Sequence, residues 1–214
     1  MTSHDLTLTG KLIRLEPLRR DHISALAAAS AAPAPGMTDP EIYSWTVVPL
    51  GIDEMTRYVK TALEWQDAGT AVPFAVVRLR DEAVIGSTRY WNIERWAWPE
   101  DSPRYGNPYP DICEIGWTWY SRPAIRSGAN REGKFLMLQH AFEVWKVLRI
   151  CLHTDSRNRR SQAAMERAGF RHEGVLRAHK LASDGVSRDS FRYSMIADEW
   201  PEAKQRLLER MQQH

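Results

Sequence analysis

Cysteine is scarce in this chain of 214 residues, which contains only Cys113 and Cys151, both in apolar runs. The spacing of the two thiols matches no zinc-ligand pattern, and the seven histidines form neither an HxxxH nor an HExxH pattern. We therefore expect no metal site. We also expect two buried free thiols and a cytoplasmic location, because the cytosol keeps thiols reduced.

Long apolar runs and a strong net charge are also missing. No window approaches the ~18 consecutive apolar residues of a membrane span, so no membrane is expected as a partner. The first residues lack a basic stretch followed by an apolar run, so we expect no signal peptide. A net charge of +2 is too small to indicate a nucleic-acid partner.

The length fits one large domain or two small ones, and we expect a single domain over residues 1–214.

Glycine-rich nucleotide motifs are absent as well. The segment Arg126-Ser127-Gly128-Ala129-Asn130 contains one glycine, whereas a dinucleotide fingerprint needs GxGxxG. It also lacks the GK[ST] ending of a nucleotide-triphosphate loop. Neither of these two nucleotide-binding classes is therefore expected.

Hydrophobic periodicity predicts alternating strands and helices. Strands are expected over residues 6–15, 72–79, 83–93, 113–120, 148–154, 170–181 and 186–196. Helices are expected over about 21–32, 53–69, 130–146 and from Asn158 or Ser161 to 169, and a last one begins at Asp198. An Ala/Pro/Gly stretch at 31–40 is typical of a loop. Because hairpins are mixed with βαβ units, the order predicts an α/β fold with a mixed sheet and helices on both faces.

Residues 95–111 interrupt this pattern with four of the twelve prolines and several aromatic side chains. Prolines at this density exclude a helix and a central strand. The segment is therefore predicted to be an ordered surface loop, and long loops inside compact domains are often functional lids.

The strand at 113–120 carries an unusual acid. Alternation places Cys113, Ile115, Trp117 and Trp119 on one face and Glu114, Gly116, Thr118 and Tyr120 on the other. The first face is apolar, and the second resembles the wall of a polar cleft. A carboxylate in the middle of a strand is rare, so Glu114 is a candidate catalytic residue. A solvated edge strand or a salt bridge to an arginine is the alternative, since structural ion pairs also place acids in this way.

The turn at 126–130 joins this strand to a helix. The first N–H groups of a helix have no partner inside it, and the helix dipole makes that end positive, which favours an anion. Arg126, Arg131 and Lys134 add positive charge and favour a phosphorylated ligand. An ordinary strand–helix connection is the alternative. In the basic segment 155–161, helix capping by itself would explain Asn158 or Ser161.

Together these motifs resemble the GNAT family of acyl-CoA N-acyltransferases, and more narrowly its RimJ/RimL-type branch, which acetylates protein N-termini and various small amines. The resemblance covers nearly the whole chain and is strongest over 112–201. It rests on EIGWTW at 114–119, GAN at 128–130 with Glu132 and Lys134, Thr154-Asp155 with Asn158 and Ser161, residues 165–170 and 173–177, Arg188-Asp189, and residues 198–201.

The resemblance implies acetyl-CoA as co-substrate and a role for each matching position. Residues Arg126, Ser127, Gly128, Ala129, Asn130 and Arg131 would bind the coenzyme A pyrophosphate. The strand at Trp117, Thr118 and Trp119 would pair with the pantetheine arm, and strands 113–120 and 148–154 would splay apart for the thioester. Asn158 would hydrogen-bond the arm, Ser161 would protonate the leaving thiolate, and Glu114 would accept the proton of the attacking amine. The family signature begins with Gln or Arg where this chain has Ile125, and Arg126 is the expected replacement.

The chemistry is consistent with these roles. An ammonium must lose a proton before it attacks a thioester, and a carboxylate in a partly dehydrated cleft can accept one. A backbone N–H can stabilise the charge that develops on the thioester oxygen. This reaction requires neither a metal nor a covalent enzyme intermediate.

The acceptor stays open between a peptide N-terminus and a small amine. Tyr90, Trp91, Trp96 and Trp98 are expected beside the place where the acceptor would enter, and their rings would stack on it or cover the cleft. Packing against one another, or at the interface of a homodimer, is the alternative. A non-catalytic acyl-CoA sensor is a third hypothesis, against which the presence of both Glu114 and Ser161 argues.

Overall fold

The computed structural model describes residues 5–33 and 43–212. Residues 34–40 of the predicted loop at 31–40 lie outside this part of the chain. The strands are β1 (Leu8–Thr9), β2 (Ile13–Pro17), β3 (Val72–Arg78), β4 (Ala83–Glu94), β5 (Ile112–Tyr120), β6 (Arg149–Asp155), β7 (Arg171–Leu181) and β8 (Ser187–Ile196). The α-helices are α1 (Ile23–Ala31), α2 (Gly51–Asp67), α3 (Ala129–Glu143), α4 (Arg159–Arg167) and α5 (Trp200–Gln212).

The strands form one sheet in the order β1-β2-β3-β4-β5-β6-β8-β7. Among the described strands, β5 and β6 pair in parallel, joined through α3, and the other neighbours are antiparallel. One apolar cluster packs α3 and α5 against the sheet, and a second packs α1 and α2 against it. The predicted mixed α/β sheet with helices on both faces is therefore confirmed.

The predicted strand at 6–15 is wrong in one respect, because a turn at residues 10–12 divides it into β1 and β2. The turn is fixed from α3, where the buried Glu132 accepts the backbone N–H groups of Lys11, Leu12 and Ile13 at 2.7, 2.8 and 2.9 Å. A Cβ on Gly10 would lie 2.3 Å from the Glu132 carboxyl carbon, so a glycine is needed at this close approach.

By residue type Asp21, Asp53 and Asp198 are candidate N-caps of helices, and all three predictions are wrong. Asp53 lies in the first turn of α2, whose N-cap is Leu50. Asp21 lies inside a short 3₁₀ turn at Arg20–His22 that precedes α1, and Asp198 lies inside a similar turn at Ala197–Glu199 before α5. By contrast, Asn158 does cap α4, because its side-chain oxygen accepts the Ser161 N–H at 3.0 Å.

Strand β5 contains a bulge that breaks the predicted alternation. Trp117 has a left-handed φ of +54°, and the register with β4 shifts between Ser87 and Arg89. Beyond the bulge the faces exchange, so that Trp119 joins the cluster under α1 and α2, and Tyr120 joins the cluster under α3. The prediction of one apolar face carrying both Ile115 and Trp119 is therefore wrong, because the extra residue inverts the order of faces.

Strands β5 and β6 separate soon after they meet. Their pairing consists of Ile112, Cys113 and Glu114 with residues 149–151, after which β6 continues beside β8 as far as Asp155. The predicted splay is confirmed, and it leaves the β6-facing edge of β5 without a strand partner in the described residues after Glu114. Backbone groups on such an edge are available to an added strand or ligand.

The segment between β4 and β5 has turns but no helix or strand in its described residues. Buried Asp111 anchors it, accepting from the Trp96 N–H and the Trp98 Nε1–H, each at 2.7 Å.

The cysteines are both buried free thiols, as expected, and burial raises the pKa of Cys113 well above its ordinary value. None of the helices in residues 5–33 and 43–212 is long and apolar enough to cross a bilayer.

Candidate active site

Two cavities adjoin the place where β5 and β6 separate. The first has a volume of about 440 Å³ and lies among the end of β5, the start of α3 and the start of α4. The second has a volume of about 330 Å³ and lies among β4, β5, β6 and β7. Glu114 is in the wall of the second cavity, whereas Thr118 and Trp119, further along the same strand, are in the wall of the first. Strand β5 therefore connects the two cavities.

Most residues predicted to bind a cofactor come together in the first cavity. Those in its wall are Thr118, Trp119, Arg126, Gly128, Asn130, Arg131, Asn158 and Ser161. Trp117, Ser127 and Ala129 do not line it. The wall also contains Lys134, Arg160, Arg167 and Arg210, so the cavity is strongly cationic. Positive charge at this density suits a ligand with several phosphate oxygens.

The turn before α3 has the geometry expected for an anion site. Gly128 is the N-cap residue of α3 with a left-handed φ of +89°, and Arg126 also has a positive φ, +66°. Gly128 has no side chain to cap the helix, and Ser127 Oγ accepts a long bond from the Ala129 N–H at 3.4 Å. The first turn of α3 therefore presents backbone N–H groups and the positive end of its dipole to the first cavity.

Lys134 lies one turn further along α3, in the wall of the same cavity. Burial lowers its pKa to about 8, an effect that the carboxylate of Glu114 opposes. Within the described residues its ammonium makes no hydrogen bond or ion pair. Lys134 is therefore a lysine in the wall of the first cavity without a carboxylate in contact.

Asn158 and Ser161 lie at the N-terminus of α4, and both line the first cavity. The Asn158 side-chain oxygen is used by the helix cap, so its amide N–H groups are the part left for a ligand. Ser161 is half-buried, on the first turn of α4. Its hydroxyl can serve as donor or acceptor to a group in the first cavity.

Glu114 is buried, with 4% of its surface exposed, and one of its oxygens lies 2.9 Å from His153 Nδ1. The two groups lie within contact distance, but the contact lacks the alignment of a hydrogen bond. A solvated edge position for Glu114 is thereby excluded, and its close partner is a histidine rather than an arginine.

His153 and His179 are site residues that the sequence analysis missed. Their rings lie 5.2 Å apart, and both line the second cavity. Burial lowers the pKa of His179, with the charges of Lys180 and His153 adding to the effect. Alternation in β6 was the available signal. Cys151 pairs with Glu114, and His153 follows Cys151 by two residues, so its side chain lies on the same face of the sheet.

Strained backbone surrounds the second cavity. Asn92, Trp117 and Ala178 all have left-handed φ angles between +48° and +54°, and each lies where a strand register shifts. Such conformations are costly for residues other than glycine and persist where the surrounding structure fixes them. Bulges of this kind re-aim side chains and are common next to active sites.

Trp91 is the predicted substrate-binding residue that lines the second cavity. Its ring stacks on Trp65 at 6.2 Å and meets Trp117 edge-on at 6.1 Å. A Cβ on Gly116 would lie 2.6 Å from Trp91 Nε1, so the tryptophan crosses β5 where there is no side chain. Trp117 belongs to this aromatic group and also covers the guanidinium of Arg89 at 5.0 Å.

Tyr90 and Trp98 occupy other places. Tyr90 is fully buried on the α3 face, where its hydroxyl donates to the Met137 carbonyl at 2.6 Å. Trp98 belongs to the segment between β4 and β5, packs beside Trp96 at 5.6 Å and does not line the second cavity. The structure therefore separates these two residues from Trp91, and neither lines the second cavity.

No group of three or more possible metal ligands comes together in the described residues.

The model of the acetyltransferase (GNAT) domain matches residues 13–171 of the chain. A GCN5-related N-acetyltransferase from Brucella melitensis is 26% identical, with a TM-score of 0.79 over 99% of this chain and 87% of that one. A protein of T. thermophilus assigned as an acetyltransferase is 30% identical, with a TM-score of 0.71 over 95% of this chain and 96% of that one.

Mycobacterium smegmatis RimJ, solved in complex with CoA-disulfide, shares the fold at 21% identity, with a TM-score of 0.72 over 96% of this chain and 95% of that one. No curated protein matches the sequence significantly. The family match spans most of the chain and agrees with the splayed strands and the glycine turn. The chain therefore belongs to the GNAT family and is an acyl-CoA N-acyltransferase.

Proposed function

We propose that the protein transfers an acetyl group from acetyl-CoA to a primary amine by direct attack of the amine on the thioester. The observation that carries the proposal is the position of Glu114, a buried carboxylate at the separation of β5 and β6. On one side of this point lies a cationic cavity at a helix N-terminus, and on the other a polar cavity without phosphate-binding geometry.

The first cavity would hold the donor. In this proposal the N–H groups at Gly128, Ala129 and Asn130 and the side chains of Arg126 and Arg131 bind the pyrophosphate, because this is the cationic end of α3. The backbone of Trp117, Thr118 and Trp119 runs along the open edge of β5 and would pair with the pantetheine arm. The Asn158 amide would donate to the same arm.

The second cavity would hold the amine. Glu114 accepts the proton that the amine loses as its nitrogen bonds to the carbonyl carbon, and the acceptor leaves as an amide. The carbon–sulfur bond breaks, Ser161 donates a proton to the departing sulfur from the side of the first cavity, and the serine then regains a proton from solvent. His153, whose Nδ1 lies 2.9 Å from Glu114, would receive the accepted proton. Trp91 would form one wall against the acceptor.

A thermal-shift titration with acetyl-CoA, followed by a thiol-release assay on a panel of amines and peptides, tests the proposal. At a concentration of about 100 Kd the donor should stabilise the fold by about 2.7 kcal/mol. For a chain of this size the melting temperature should then rise by roughly 5–10 °C. Thiol release should depend on the amine.

A shift without thiol release on any amine or peptide would favour the non-catalytic sensor. No shift would mean that the turn at Gly128 binds no coenzyme, and the proposal would fail. Gly128→Val provides a matched control, because a β-branched residue cannot adopt the φ of +89° and should weaken the shift while leaving the cavity charges unchanged.

The positions of Trp91 and Trp98 predict different effects of replacing each by alanine. Trp91→Ala should raise the KM of the accepted amine about 5- to 20-fold, because the aromatic wall of the acceptor cavity is lost. Trp98→Ala should lower stability by about 1–3 kcal/mol, because it removes a hydrogen bond from buried Asp111.

KM from thiol-release kinetics and melting temperature, both measured on both variants, separate these effects. Trp98→Ala should leave the KM within about twofold of the wild type, given its distance from the cavity wall. Equal rises in KM for the two variants would show that the segment between β4 and β5 takes part in acceptor binding.

A further inference from the structure

The second cavity contains positive charge that the proposed transfer of a simple amine does not use. Lys180 Nζ lies 4.2 Å from the ring centre of Trp91, and within the described residues it makes no ion pair with a carboxylate. Arg192, also in the wall, reaches Glu173 at 3.6 Å, but Glu173 is shared with Arg149. These cations face a cavity in which an ammonium has to be accommodated.

The backbone of β7 is distorted in a way that brings these groups inward. The register with β8 shifts between Leu176 and Lys180, Ala178 has a φ of +48°, and its N–H donates to Asp189 Oδ1 at 2.8 Å. Neighbouring residues of a regular strand point to opposite faces, yet His179 and Lys180 both line the cavity. The bulge therefore serves to direct two adjacent polar side chains to one place.

Several buried polar atoms here have no hydrogen-bond partner. Among the described residues, His153 Nε2 and His179 Nδ1 have no charged partner either, whereas His153 Nδ1 lies 2.9 Å from Glu114 and Arg192 Nε lies 3.6 Å from Glu173. The His153 side chain is 9% exposed. Since buried polar groups in folded proteins are nearly always hydrogen-bonded, a cluster of unpaired ones marks the place of a polar ligand. The ligand must offer acceptors, because Lys180 and Arg192 have none of their own.

The charges in the wall determine what kind of ligand fits. Two carboxylates line the cavity, and of these Glu94 is exposed at the rim and lies 3.5 Å from Trp96 Nε1. Glu114 is thus the buried anion that faces Lys180 and Arg192. An ammonium placed at Glu114 would add a further positive charge, which costs free energy at low dielectric unless the same molecule brings an anion.

We propose that the acceptor is a small primary amine that carries its own carboxylate beside the amine, as a free α-amino acid does. The amine lies at Glu114, and the carboxylate accepts from Lys180 and His179. This inference rests on the proposed function, because it names the acceptor class for the same site. The volume of about 330 Å³ is large enough for a molecule of this size. Burial lowers the pKa of Lys180, and a bound carboxylate would counteract this by favouring the charged form.

Matched pairs of an α-amino acid and its amide test the inference, because the members of a pair differ in the carboxylate alone. Across several side chains, the acid should show a kcat/KM at least 10-fold above that of its amide in the thiol-release assay. A peptide N-terminus lacks the free α-carboxylate, so a short peptide amide should behave like the amino-acid amide. Calorimetric titration of the same pairs into the CoA-saturated protein measures the preference without turnover.

Lys180→Met should lower kcat/KM for the acid by about 10- to 100-fold and leave the amide within about twofold. Lys180→Arg retains the positive charge and should keep most of the preference for the acid over its amide. A loss seen in Lys180→Met and not in Lys180→Arg is then due to the missing charge and not to misfolding. Lys60→Met serves as a matched control, because Lys60 is exposed on α2 and pairs with Glu64.

The two hypotheses fail in different ways. A preference for acids in calorimetry without any thiol release would support the inference and overturn the proposed transfer. Equal turnover of acids and amides would overturn the inference and leave the transfer standing. A loss of similar size for acid and amide in Lys180→Met, or a panel in which no acid binds or reacts, would also overturn it.

Discussion

Glu114→Gln is expected to lower kcat by about 10²- to 10⁴-fold, the usual contribution of a general base. The amide side chain keeps the shape of the carboxylate but cannot accept the proton of the attacking amine. The position 2.9 Å from His153 and the 4% exposure make replacement of this base by bulk water inefficient. Steady-state thiol release with a saturating amine measures the effect.

The donor site should be unaffected, because Glu114 lines the second cavity and not the first. The melting-temperature shift with acetyl-CoA is therefore expected to match that of the wild type. Glu94→Gln is the matched control, since Glu94 is exposed at the rim of the same cavity and should change kcat by less than about threefold.

Ser161→Ala, in the wall of the donor cavity, should lower kcat by a smaller factor, because water can protonate a thiolate. If Glu114→Gln and Ser161→Ala both retained full turnover, the roles given to these two residues would be wrong. If only Glu114→Gln were inactive, Ser161 would serve the fold of α4 or coenzyme binding and not proton transfer.

Glu132→Ala is expected to destabilise the protein by about 3 kcal/mol or more. The carboxylate accepts three backbone N–H groups, those of Lys11, Leu12 and Ile13, and the substitution leaves these donors unpaired. An unsatisfied buried donor costs about 1–3 kcal/mol. For a chain of this length the melting temperature should fall by roughly 6–12 °C.

Two further substitutions calibrate this prediction. Glu132→Gln should have an intermediate effect, because one amide oxygen can still accept from part of the turn. Glu209→Ala should change stability by less than about 0.5 kcal/mol, since Glu209 is exposed on α5 and contacts Gln205. A melting temperature for Glu132→Ala equal to that of Glu209→Ala would show that the turn at residues 10–12 does not depend on the carboxylate.

Prediction from the sequence succeeded where the signal was local. Periodicity located β3, β4, β5 and α3 to within a few residues, and Asn158 was named among the candidate caps of α4. The glycine turn was located because a strand, one glycine and a helix follow one another directly in the chain. Such patterns depend on neighbours a few residues apart, which the sequence displays.

Prediction failed where pairing between strands decides the outcome. The bulge at Trp117 inverts the faces of β5, and no property of residues 113–120 taken alone marks that position. Trp91 and Trp98 are close in sequence, yet the anchor at Asp111 holds Trp98 outside the second cavity. His153 was overlooked because its importance depends on the register between β5 and β6.

The sequence by itself determined the family resemblance, the order of strands and helices, and the chemical types available to the site: a buried-strand carboxylate, a glycine turn and cationic side chains. Only the tertiary structure decided how these groups are shared between two cavities. The separation of β5 from β6 after Glu114 and the bulges at Trp117 and Ala178 are set by packing between distant segments. That packing brings His153, His179 and Lys180 to Glu114, because strand register, and not sequence distance, determines which side chains meet.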